Sequence, residues 1–188
     1  MFLAFVAIAL VISVPLLGGR LSRVADLRFR GAPLLIAALA IQVVVISVWR
    51  SPDPAVAAGL HVLTYVLAAA FLWWNRRITG LPLVAVGAAL NGVTIALNGG
   101  ILPASGTAVT ESGFRVAADH FANSATLAHP RLALLGDVFV TPSWLPFRNV
   151  FSVGDVVIVL GAAICLHAVS GSRLAATAAR LLASSHSS

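Results

Sequence analysis

Asn91, Thr94 and Asn98 recur at i, i+3 and i+7, with Gly87 one turn ahead, so a helix over this stretch carries one polar stripe. Its neighbours are apolar, and an amide facing lipid is costly, so the stripe must face other protein. It either bonds helix to helix or lines a polar pocket. Ser152-Val153-Gly154-Asp155 fits the pattern in which a serine and a carboxylate cap each other's backbone at a helix N-terminus. The same Asp155, if set inside an apolar layer, is expensive and points to function. Asp53-Pro54 reads as a plain N-cap with proline at the first helical position. His61, Thr64 and Tyr65 make a second short stripe, and Gln42 reads as an interhelical hydrogen-bonding group.

Residues 98–149 add Asp119, His120, His129 and Asp137. Two carboxylates and two imidazoles can hold a metal or act as acid and base. Their spacing matches no zinc pattern, and on a helix adjacent Asp119 and His120 point about 100° apart. Neither a metal nor a cofactor is expected. His61 and His167 fall near opposite membrane boundaries and cannot share a haem. No nucleophile elbow, P-loop or H-E-x-x-H motif occurs.

The elements that position these residues follow from composition. Of the 188 residues, 60% are hydrophobic and 10% charged, where a soluble domain carries about 25% charged residues. So few charges cannot coat a water-facing surface, and most of the outside must face lipid. The 12 basic residues are all arginine and sit in short clusters between apolar runs. That placement suits topology signals and excludes a nucleic-acid partner, which would need a basic patch on a soluble face. A lone cysteine, Cys165, excludes an internal disulfide.

The expected fold class is all-α: a polytopic membrane helix bundle of about five transmembrane helices, with a partly helical outer cap between helices four and five. Spans are expected at about 1–19, 32–49, 55–74, 81–97 and 151–170, the cap at 98–149, and a cytoplasmic tail at 173–188. The first run lacks a basic leader and a small-residue cleavage site, so it is expected to be retained. Pro15 should end or kink it. With five spans, Arg20, Arg23, Arg28, Arg30, Arg76, Arg77, Arg173 and Arg180 fall on one side. The positive-inside rule puts that side in the cytoplasm, the N-terminus outside and the C-terminus inside a bacterial inner membrane. In the cap, Phe114, Ala117, Ala118 and Phe121 predict a short amphipathic helix.

Three stretches in this region belong together. Asn98-Gly99-Gly100-Ile101-Leu102-Pro103, Leu135-Gly136-Asp137 and Asn149-Val150-Phe151-Ser152-Val153-Gly154-Asp155 give the order NGGxxP, LGD, NVFSxGD. The order resembles a family of small bacterial membrane proteins classed as a domain of unknown function. Members of that family usually carry Met before the proline, where this chain has Leu102. The resemblance implies about five spans and no activity that can be carried over. It also implies that the marked residues serve one feature.

The expected site is therefore a ligand-binding pocket in the outer half, with Asn91, Asn98, Asp119, His120, Asp137, Asn149, Ser152 and Asp155 as candidate lining. The first functional reading is a protein that binds or moves a small or lipid-like ligand there. The rivals are an accessory or assembly subunit of a larger membrane complex, and a membrane-embedded enzyme using outer-face Asp and His residues. Expected partners are the lipid bilayer and either a second copy or a larger membrane complex.

Overall fold

The computed structural model describes residues 2–50, 52–113, 123–145 and 148–177. It is mostly helical, with a few short strands. The first helix, α1, runs Phe2–Leu16 and stops one residue after Pro15. Short α2 (Leu21–Ala25) leads to α3, Ala32–Val43. The β-branched run Val43-Val44-Val45-Ile46 packs poorly in a tight helix. Here α3 passes into a wide turn, Val44–Val48, in which Trp49 N–H donates to Val44 O at 2.7 Å. Helix α4, Pro54–Trp74, starts as its sequence requires: Asp53 Oδ1 accepts from Ala55 N at 2.9 Å and Val56 N at 3.0 Å. Helix α5 spans Leu81–Leu97 and α7 spans Val153–Ser170.

Helices α4 and α7 are each long and apolar enough to cross a membrane, while the other three long helices are shorter apolar ones. Large apolar side chains stand out from all sides: Leu16 is 76% exposed, Ile36 65% and Trp73 63%. The helices depart from the bounds of the expected spans at three places. Helix α1 ends at Leu16 rather than 19, α3 is regular only to Val43, and α7 begins at Val153 because the residues before it form a strand.

The long helices pack as antiparallel neighbours in the order α3, α4, α5, α7, and α1 lies parallel to α7. Helix α5 meets α7 most closely. A Cβ on Gly87 would lie 2.5 Å from Gly154 O and 2.8 Å from Ile158 N, so only glycine permits this approach. Seven residues away on each helix, Gly80 faces Gly161 in the same manner. At the arginine-bearing end, Arg20 N donates to Ser170 O at 3.0 Å and Arg173 N to Leu17 O at 2.9 Å. Asn75 there gives Nδ2 to Arg30 O at 2.8 Å and takes Arg30 N on Oδ1 at 2.9 Å, fixing the loop before α3 to the end of α4. His167 joins α7 to α1 at that end, with Nε2 3.1 Å from Ser13 Oγ and Nδ1 3.0 Å from Ser172 Oγ.

The cap at the other end holds helix α6 (Gly106–Ser112) and four strands. These are β1 (Leu102–Pro103), β2 (Ser124–Ala125), β3 (Asp137–Val140) and β4 (Val150–Ser152). Strand β1 pairs parallel to β2, and β3 pairs antiparallel to β4 with Asp137 opposite Ser152. A bridge from Ala104 to Asp137 joins the two pairs. Runs of two to four residues are too short to show an alternating pattern, so the sequence carries no signal for these strands. The amphipathic helix expected over Phe114–Phe121 lies outside the described residues. The same is true of the tail from residue 178.

Candidate functional site

The capping serine of α7 does two jobs. Ser152 Oγ accepts from Asp155 N at 3.0 Å, and Asp155 Oδ2 accepts from Ser152 N at 2.9 Å. The hydroxyl then donates to Asn91 Oδ1 at 2.9 Å, and Asn91 Nδ2 donates to Asp155 Oδ1 at 2.8 Å. A closed ring of four hydrogen bonds thus ties α5 to the start of α7. Both oxygens of Asp155 and both ends of the Asn91 amide are taken up in it. Gly154 lets the ring close, since a side chain there would collide with the Asn91 amide oxygen. The polar stripe therefore does bond helix to helix.

Beside the ring lies a cavity of about 430 Å³. Every long helix reaches it: Val6 from α1, Gln42 from α3, His61 and Tyr65 from α4, Asn91 and Ile95 from α5, and Val156, Val159 and Leu160 from α7. The cap closes one end with Leu102, Asn123, Ser124, Asp137 and Asn149. The wall is polar under the cap and apolar along α7.

Asp137 is held in this wall by the three sequence stretches meeting. A side chain at Gly136 would collide with Pro103 O, so the chain before Asp137 lies flat on β1. Ser105 N donates to Asp137 O at 2.9 Å. Ser124 Oγ donates to Asp137 Oδ2 at 2.5 Å. The Asp137 side chain is 5% exposed, and burial pushes its pKa up to about 6, opposed by the Ser124 bond and reinforced by the charge of Asp155. His61 is fixed by Nδ1 donating to Gly100 O at 2.7 Å, and its ring meets Tyr65 edge-on at 5.6 Å.

Of the sequence candidates, Asn91, Asp137, Asn149 and Asp155 line the cavity. Ser152 stands behind the wall, fully buried in the ring. Asn98 is not on the wall. Its Nδ2 donates to Arg131 O and its Oδ1 accepts from Arg131 N, both at 2.8 Å, so it clamps the cap to the end of α5. Asp119 and His120 lie outside the described residues. His129 is exposed on the cap surface. Among the described residues, no group of three His, Cys, Asp or Glu side chains is placed to hold a metal ion. Sequence reasoning did not place Gln42, His61, Tyr65, Asn123 and Ser124 on the wall. The first three carry a signal, a polar group on an apolar helix, whereas Ser124 reaches Asp137 only through strand pairing that leaves no local mark.

A model described as a family of unknown function, DUF5317, matches residues 26–167. No curated protein and no solved structure matches the chain.

Proposed function

The chain belongs to the DUF5317 family, and from that premise we propose that it is a five-span membrane protein that binds or moves a small amphiphilic ligand in the cavity beneath its cap. The observation that carries the reading is the cavity's composition. Five apolar helices converge on one space that is polar at the cap end and hydrocarbon-like along Val156, Val159 and Leu160. Such a wall suits a ligand with one polar end and one apolar end.

The membrane arrangement rests on three supports. Two helices meet the length for crossing, and the other three are apolar enough to cross when packed beside them. The exposed Leu, Ile, Val and Trp side chains form a belt that water does not tolerate. Arg20, Arg23, Arg30, Arg76 and Arg173 gather at the end opposite the cap, which the positive-inside rule assigns to the cytoplasm. The cap and its cavity then face outward. Cysteine labelling tests this in a Cys165→Ser background. Ala128→Cys, exposed on the cap, should react with a membrane-impermeant maleimide in intact cells, and Ser22→Cys, exposed beside Arg23, only after permeabilisation. The reverse pattern inverts the topology.

The ligand reading is tested by native mass spectrometry of protein purified from its own membranes. A retained small molecule should disappear from Val159→Phe, which fills the cavity from its apolar side. A second reading, an accessory subunit of a larger complex, draws on Leu134 and Trp144, which are 83% and 79% exposed on the cap. A stoichiometric partner lost on Trp144→Ala, with no small molecule bound, would favour it.

A further inference from the structure

Resting on that reading, we infer that the ligand is an organic cation, an amine-bearing amphiphile whose ammonium group sits against Asp137 Oδ1. Among the described residues, the cavity wall carries two carboxylates, Asp137 and Asp155, and no arginine. An anion entering this space would meet two carboxylates and no compensating cation on the described wall.

The two carboxylates are not equivalent. Each oxygen of Asp155 already accepts a hydrogen bond, one from Asn91 and the other from Ser152. Asp137 has its Oδ2 bonded to Ser124, while its Oδ1 accepts no hydrogen bond from the described residues. No buried side-chain oxygen or nitrogen among the described residues is both sealed and without a partner. The remaining surface of Oδ1 therefore opens onto the cavity that Asp137 lines. A side chain that is only 5% exposed, with one oxygen unbonded at a cavity wall, is an acceptor suited to a donor group.

An ammonium group meets this need better than a metal ion. It brings three N–H donors and one positive charge, whereas a divalent ion wants about six oxygen ligands and finds one open carboxylate oxygen. Tyr65 lies on the same wall, and an aromatic ring is a favourable neighbour for a cation. The alkyl part of the ligand then lies along Val156, Val159 and Leu160.

Competition with protons follows. Among the described residues, the ionisable groups that line the cavity with Asp137 are His61 and Tyr65 on α4 and Asp155 on α7; α1, α3 and α5 present Val6, Gln42 and Asn91, which do not titrate. With Asp137 at about 6, the carboxylate is charged at pH 7.5 and mostly protonated at pH 5. Amine affinity should then fall about tenfold between those pH values.

The test uses the full chain in lipid nanodiscs at pH 7.5, with thermal unfolding followed by tryptophan fluorescence. Octylammonium, octanesulfonate and 1-octanol are added at equal concentration. Octylammonium alone should raise the unfolding temperature, and Asp137→Asn should abolish the rise. If that variant does not fold, the wild-type octylammonium response at pH 5 supplies the same comparison. A rise of equal size with octanesulfonate or 1-octanol, or one that survives in Asp137→Asn, overturns the cation assignment while leaving the cavity as a ligand site. No rise with any of the three overturns both.

Discussion

Truncating Asp155 should destabilise the protein by more than the loss of a helix cap, and the excess should vanish when Asn91 is truncated too. The ring fixes the magnitude. Asp155→Ala removes the capping carboxylate, which costs about 0.5–2 kcal/mol. It also strands Asn91 Nδ2, a donor on a side chain only 2% exposed, and an unsatisfied buried group costs about 1–3 kcal/mol. The expected total is about 3 kcal/mol. Asn91→Ala should cost a similar amount, because it leaves Asp155 Oδ1 and the Ser152 hydroxyl without their partner. The bond between Asn91 and Asp155 can be lost only once, so the double variant should be milder than the sum. A hydrogen bond to a charged group sets that coupling at about 1.5–3 kcal/mol. Asp155→Asn should fall between wild type and Ala, since an amide keeps one acceptor where the carboxylate uses two. The assay is reversible unfolding in mixed detergent and SDS micelles, read by tryptophan fluorescence, on all four members of the cycle without ligand. Single-variant costs that add to within about 0.5 kcal/mol would refute the ring, because residues that do not touch are additive.

Asp137 sets a pH dependence of opposite sign to that of a salt-bridged carboxylate. Its pKa rises from 3.8 unfolded to about 6 folded, so the stabilisation is present below the unfolded value and is lost as pH rises through the folded one. The full span is on the order of 3 kcal/mol, and Asp137→Asn should flatten the unfolding curve between about pH 4 and 6 and raise stability at pH 7.5. An Asp137→Asn profile that keeps the wild-type slope would show that another group titrates. Gly87→Ala should cost about 1–3 kcal/mol by pushing α5 off α7, where a Cβ meets Gly154 O at 2.5 Å, and unchanged unfolding would contradict that approach. Asn98→Ala should release the cap without melting the bundle, seen as faster amide exchange confined to residues 123–140; exchange rising equally in α5 and α7 would show that Asn98 supports the helices instead.

The helices are legible in the sequence because each is a long apolar run bounded by its own signals. Asp53-Pro54 marks the start of α4, and Ser152 with Asp155 marks the start of α7, both through hydrogen bonds within four residues. The polar stripe on α5 is equally readable, since helical spacing puts Asn91, Thr94 and Asn98 on one side whatever lies opposite. What lies opposite is not readable. Asn98 and Asn75 each grip the backbone of an arginine, and a backbone partner leaves no trace in residue type. Asn98 consequently reads as a pocket residue when it is a clamp. The glycine pairs recur at seven residues on both helices, yet only the antiparallel register turns two separate patterns into one close approach. The strands of the cap are hidden for a similar reason: their pairing joins residues 102 and 124, or 137 and 152, across loops of arbitrary composition.

This division explains why the two carboxylates exchange the importance their positions in the sequence suggest. Asp155 stands out there because a charge at the edge of an apolar helix is expensive, and its structure answers the expense. Each of its oxygens accepts a hydrogen bond, one from the Asn91 amide and one from the Ser152 N–H, so the carboxylate is held within the ring. Asp137 sits in a segment with no periodicity, marked in the sequence by its Leu135-Gly136-Asp137 stretch. Folding places it at the start of β3, nearly sealed in the cavity wall, with a serine on one oxygen and no hydrogen bond from the described residues on the other. A carboxylate bonded through both oxygens and one bonded through a single oxygen divide the labour. The first is held in place by its ring of hydrogen bonds, and its charge raises the pKa of the second. Moving the charge of Asp155 should therefore alter the affinity of Asp137 for protons even though the two share no hydrogen bond. An Asp155→Asn variant whose Asp137 titration is unchanged would leave the pair electrostatically independent and remove the reason for placing them on one wall.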